Sequence, residues 1–129
     1  MNISEAAKLT GLSDKMIRDY ERIGLISQAK RSTNGYRQYT ERDLDTLHFI
    51  KHARDVGFSL RQIQALLDLN HNPNRTSAEV KAITGEHIAQ LQEKITRLQS
   101  MSAELQSWYD HCEGNDSSEC PIINGLSCH

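Results

Sequence analysis

A chain of 129 residues has room for one ordinary domain, or for a small domain and an extended helix, and is too short for a large enzyme. Hydrophobic residues make up 37% of it and aromatic residues only 5%, which argues against a single thick core and for a helical fold that completes its burial against a partner. The formal net charge of -2 conceals a division: residues 1–69 carry 11 Lys+Arg against 9 Asp+Glu, the remainder carries 4 against 8, and Lys15 to Thr40 holds six basic residues against two acidic ones.

A nucleic-acid surface therefore belongs to the N-terminal part. No apolar run approaches the ~18 residues of a membrane span, and the first residues lack the basic and apolar pattern of a signal peptide, so a cytoplasmic protein with no membrane partner is expected.

Ser4 reads as the cap of a short helix through Ala6, Ala7 and Leu9, ended by Gly11 in the left-handed conformation. Ser13 reads as the cap of a second helix through Met16, Ile17 and Tyr20 to Gly24, which makes 4–23 a helix-turn-helix. Over 25–39 the pattern changes to a β-wing, with Asn34-Gly35 as a two-residue hairpin signal. Thr40 opens the next helix, which stops at Gly57, and Ser59 with Gln62 forms a capping box for another through Ile63, Leu66 and Leu67.

After the break at Asn72-Pro73-Asn74, Thr76 and Glu79 form a further capping box, and no proline follows until Pro121. That leaves room for a helix over 77–111. Leu91, Leu98 and Leu105 recur every seven residues, with Ile88, Ile95, Ser102 and Tyr109 completing the seam of a coiled coil. No second helix of this length exists in the chain, so the expected partner is a second copy. Gly85 weakens the pattern by ~1 kcal/mol relative to alanine.

The expected architecture is mainly α: a winged helix-turn-helix unit over 1–69, a dimerisation helix over 77–111, and a metal-binding loop with a short terminal helix over 112–129. Lys15 and Arg18 share one face of the second helix, where they would meet phosphates or base edges in a major groove, and Arg22 falls on the same stripe. Arg31, Tyr36 and Arg37 sit on the wing, suited to phosphate. Taken singly, each is an ordinary solvated residue. A helix-turn-helix, a wing and a basic surface occurring together point to double-stranded DNA.

Cys112 and Cys120 enclose a seven-residue loop rich in Gly, Asn, Asp and Ser, with Pro121 suited to the first turn of a terminal helix. Two thiols facing each other across such a loop are soft ligands, suited to Cu(I) and, as alternatives, Ag(I) or Au(I). Zn(II) would seek four donors. Cys128, His129 and His111 would nominally supply the others, but chain ends are usually mobile, and Cys128 is read as an auxiliary thiol at most. A thiol redox switch through a Cys112–Cys120 disulfide is a further alternative. No histidine, carboxylate and nucleophile fall in a recognisable catalytic motif, so an enzyme is not expected.

Taken together, Met1-Asn2-Ile3, Ala6-Ala7, Gly11-Leu12, Met16-Ile17-Arg18, Tyr20-Glu21, Gly24-Leu25, Asn34-Gly35-Tyr36-Arg37 and Tyr39 resemble the DNA-binding signature of the MerR-type metalloregulators. Ala53-Arg54, Gly57-Phe58, Ser77-Ala78 and Val80-Lys81 extend the likeness over nearly the whole chain, in particular to the copper-efflux and gold-sensing regulators of that family. The resemblance implies a homodimer with antiparallel long helices, bound to promoter DNA in both the apo and metal forms. It implies activation by bending and untwisting that DNA, with RNA polymerase engaged through the promoter. It further implies that Ser77 occupies the position where divalent-metal members carry an additional cysteine, which would favour singly charged ions; from the residues alone, Ser77 equally reads as a helix cap. Asp19 departs from the family pattern, which usually has an aromatic or apolar residue there, and adds negative charge beside the recognition face.

Overall fold

The computed structural model describes the chain except Gln28, Ala29, Ser32, Thr33, Asn34, Tyr36 and His129, and describes the backbone alone at Lys30, Arg31 and Arg37. Among the described residues, six helices and a two-stranded ladder follow in the order α1 (Ile3–Thr10), α2 (Asp14–Arg22), β1 (Lys30–Arg31), β2 (Arg37–Gln38), α3 (Glu41–Asp55), α4 (Leu60–Asn70), α5 (Ser77–His111) and α6 (Pro121–Ser127). The chain divides into two compact units, Met1–Ile83 and Thr84–His129. No described helix is long and apolar enough to cross a membrane.

In the first unit, side-chain oxygens that accept the orphan amide groups of each first turn set the helix starts. Ser13 accepts from the Met16 N–H at 3.1 Å and opens α2. Thr40 with Asp43 and Ser59 with Gln62 form complete capping boxes for α3 and α4. The expectation at Ser4 is corrected: Asn2 accepts from the Glu5 N–H at 2.9 Å, so α1 begins earlier than Ser4 would have it. Both residue types cap well, and Asn2 lies three residues before the amide it serves, the spacing of a cap.

Gly11 ends α1 at φ +74°, a value an L side chain rarely adopts, and Leu12, 4% exposed, plugs the turn before α2. Ala6, Leu12, Ile17 and Tyr20 from the helix-turn-helix pack with Leu47, Ile50, Ala53, Ile63 and Leu67 of α3 and α4 into one core, which Leu25, Ile26 and Tyr39 close.

The wing is antiparallel, with Lys30 opposite Gln38 and Arg31 opposite Arg37. A two-residue turn at Asn34-Gly35 would have paired Arg31 with Gln38, so the ladder is one residue out of that register. Gly35 has φ +81°, the conformation in which glycine serves longer hairpin loops; Asn34 lies outside the described residues. The wing's base is tied down by Tyr39, whose N–H donates to the Met1 carbonyl at 2.7 Å and whose hydroxyl donates to the buried Glu21 carboxylate on α2.

In the second unit, the apolar seam of α5 is largely open: Ile88, Ile95, Leu98, Leu105 and Tyr109 are 48%, 53%, 60%, 53% and 69% exposed. Gly85 is not at a positive φ and has open space where a Cβ would lie, so nothing within the chain explains it.

Leu47 is fully buried. Leu47→Ala should therefore cost ~2–5 kcal/mol, read as a shift of the urea unfolding midpoint in far-UV circular dichroism at fixed protein concentration. A cost below ~1 kcal/mol would contradict its place at the centre of the helical core.

Candidate DNA interface and metal centre

On α2, Ile17 and Tyr20 face the core while Lys15 and Arg18 are exposed, so the amphipathic pattern that anchors the helix also turns two cations outward on one face. Arg22 donates to Asp19 at 3.0 Å. A surface pair of this kind adds little stability, but it answers the negative charge that Asp19 brings to the face. The bond from Tyr39 to Glu21 joins this helix to the base of the wing. Among the wing residues singled out in the sequence, Tyr36 lies outside the described residues, and the side chains of Arg31 and Arg37 are likewise not described.

Cys112 follows the last residue of α5 and its N–H donates to the Tyr109 carbonyl at 3.2 Å. Cys120 is the residue before Pro121, at the start of α6, in extended conformation. The loop between them is braced by its own short side chains. Asn115 donates to Glu113 at 2.9 Å, Ser117 N–H donates to the Asn115 side chain at 2.9 Å, and Glu119 N–H donates to Ser117 at 3.1 Å. Gly114 turns the chain at φ +62°.

The two thiols, both free and half-buried, stand at the two ends of this loop. The Cys120 thiol is held below the ordinary thiol range. The largest cause is the backbone N–H of Ile123; Ile122 N–H and Cys112 act in the same direction, and partial burial opposes them. Donors that favour a Cys120 thiolate would equally offset the excess negative charge of two thiolates around one singly charged ion.

All three cysteines are free thiols, and Cys128 is exposed at the end of α6. The His111 ring nitrogen Nδ1 lies 2.6 Å from the Ser107 carbonyl of its own helix. Among the described residues, no three His, Cys, Asp or Glu side chains are placed to share an ion. His129 lies outside the described residues.

Ser77 is exposed at the first position of α5, and the cap belongs instead to Thr76, which accepts from the Glu79 N–H at 3.3 Å while the Glu79 carboxylate accepts from the Thr76 N–H at 3.1 Å. Two contacts escaped the sequence reading. Tyr39 to Glu21 spans 18 residues, and Gly125 of α6 lies flush against Trp108 of α5. The one signal for the second was that Trp108 is the chain's single tryptophan.

Residues 1–70 match the MerR HTH family regulatory protein model, and residues 44–108 match the model described as MerR, DNA binding. The chain is 60% identical to a probable heavy metal-dependent transcriptional regulator of Haemophilus influenzae, over 98% of this chain and 99% of that one. It is 47% identical to the HTH-type transcriptional regulator CueR of Escherichia coli, over 100% and 97% of the two chains. Among solved structures it resembles a transcription regulator from Ralstonia metallidurans in complex with lead(II), with a TM-score of 0.82, 34% identity, and 98% and 99% of the chains covered.

A lowered Cys120 pKa means a larger thiolate fraction at any given pH. In the reduced, metal-free protein, alkylation of Cys120 by iodoacetamide, followed by peptide mass spectrometry, should have its pH midpoint displaced toward acid relative to the same protein in urea. Cys112→Ala should return part of that displacement, the Ile123 and Ile122 amides keeping the rest. Coincident profiles for folded and unfolded protein would contradict the geometry.

Proposed function

The chain belongs to the MerR family of helix-turn-helix regulatory proteins, and on that premise we propose that it is a homodimeric transcription activator that senses Cu(I) and responds by reshaping promoter DNA. Its relatives are named as transcription regulators, and it acts as one rather than as an enzyme. The heavy-metal name of the Haemophilus influenzae relative supports the class of signal. The observation that carries the choice of copper is the donor set: two soft sulfurs at the two ends of one short loop, Cys112 helping to lower the Cys120 pKa, with no group of three donors among the described residues.

Two thiols lose their protons to bind one Cu(I), leaving one net negative charge that the Ile122 and Ile123 amides offset. A divalent ion would draw further donors. Ser77 acts by withholding a thiolate where the divalent-metal members supply one, a role left open to it because Thr76 caps the helix. Ag(I) and Au(I) share the preference for two sulfurs and compete for the same site. The likeness to the lead(II) complex favours a divalent ion as the second reading.

Residues 1–69 read DNA, with Lys15 and Arg18 entering the major groove and Arg31, Tyr36 and Arg37 holding phosphates on either side. Residues 77–111 pair with their counterparts in a second copy, burying the exposed seam, and residues 112–129 form the sensor. Bending a site of this size costs ~1–6 kcal/mol, and a metal that couples to the protein's conformation by ~1–3 kcal/mol shifts that balance enough to change polymerase access through the promoter.

The test is a Cu(I) titration under strong reductant, following output from the promoter the protein occupies. The wild type should activate. Cys112→Ser and Cys120→Ser should lose apparent Cu(I) affinity by more than the ~10–100-fold typical of outer-shell changes, and Ser77→Cys should gain a response to divalent ions. Activation retained in Cys112→Ser would sink the two-thiolate site. Activation by oxidant without metal would establish the redox switch in its place.

A further inference from the structure

The helices that carry Cys112 and Cys120 meet at a place where no side chain fits. A methyl group on Gly125 of α6 would fall 2.5 Å from Cε2, 2.6 Å from Cζ2 and 2.9 Å from Nε1 of Trp108 on α5. Gly125 does not adopt a positive φ, so the backbone does not demand glycine there; the space does. Glycine is also a poor residue for the middle of a seven-residue helix, and its local cost is offset by the close approach of the indole.

The position of this contact gives it a consequence. Trp108 precedes Cys112 by four residues, about one helical turn, and Gly125 follows Pro121, the first residue of α6, by four. Contact at Trp108 and Gly125 therefore fixes the two helices roughly one turn away from Cys112 on one side and from the start of α6 at Cys120 on the other. Of the other apolar side chains of α6, Ile123 and Leu126 are 61% and 65% exposed and do not take over this role, while Ile122 lines a groove with Leu98, Met101 and Leu105 and is the second anchor. The amides of Ile122 and Ile123 that hold the Cys120 sulfur belong to the same short helix and move with it.

We propose that Trp108 and Gly125 are a positioning pair that sets the separation of the Cys112 and Cys120 thiols. Its bearing on metal binding rests on the copper reading given above; its bearing on the two thiols does not.

Both are measured on the full chain in a Cys128→Ser background, which removes the third thiol. Equilibration with reduced and oxidised glutathione gives the constant for one exchange: glutathione disulfide accepts two electrons from the two thiols, the Cys112–Cys120 disulfide forms, and two glutathione thiols are released. That constant reports the effective concentration of one sulfur at the other. A parallel competition with a chromophoric Cu(I) chelator gives the metal affinity.

Gly125→Ala should lower the disulfide constant and the Cu(I) affinity together, each by ~10-fold or more, because effective concentration falls once the geometry no longer matches. Alanine favours helix more than glycine, so the loss does not come from melting α6. Trp108→Leu combined with Gly125→Ala removes the indole edge the methyl strikes, and should bring both values back toward the parent. A disulfide constant in Gly125→Ala equal to or above the parent's, or a double variant no better than the single one, would overturn the positioning pair and leave the copper reading standing. Loss of the disulfide constant in Gly125→Ala, with no Cu(I) bound by the parent, would do the reverse.

Discussion

The function proposed for this chain turns on two cysteines placed where a long helix gives way to a short one. The backbone amides of Ile123 and Ile122, with Cys112 after them, favour the thiolate of Cys120. The loop supplies its own bracing through Asn115, Ser117 and Gly114, so the site does not depend on a large core. Softness, low donor number and a local source of N–H groups all favour an ion that is small in charge and content with two ligands.

Around that pair the chain leaves one requirement unmet within itself. The apolar seam of α5 stays open along several turns, and an exposed stripe of that length marks an interface. In the dimer proposed above a second copy would meet the need with the same stripe, since a twofold interface is self-complementary. The first unit is complete in a different sense: its core is closed by residues from the helix-turn-helix, the wing base, α3 and α4, and its outward cations on α2 are held by a helix whose other face is locked. The bond from Tyr39 to Glu21 ties the wing base to that helix, so the two elements proposed to contact DNA share one buried anchor.

Much of this was legible because it is local. Caps at Ser13, Thr40, Ser59 and Thr76 are decided by residues three apart, and the structure realises each of them. The heptad leucines, the Gly11 turn and the loop between Cys112 and Cys120 are local in the same way. Asn2 displaced Ser4 because two good caps compete over neighbouring positions, and the wing register slipped because a hairpin signal fixes the turn residues better than the loop length. Contacts such as Tyr39 to Glu21 or Trp108 to Gly125 were not legible. They depend on how finished elements pack, and no spacing rule encodes that a glycine will lie under an indole.

The central claim is that one ion sits between two sulfurs and nothing else. X-ray absorption at the copper edge of the Cu(I)-loaded dimer measures this directly. The account expects two sulfur scatterers and the edge of digonal Cu(I), with the signal lost in Cys112→Ser and in Cys120→Ser. Three or four donors around the copper, or a spectrum unchanged by removal of either sulfur, would contradict it.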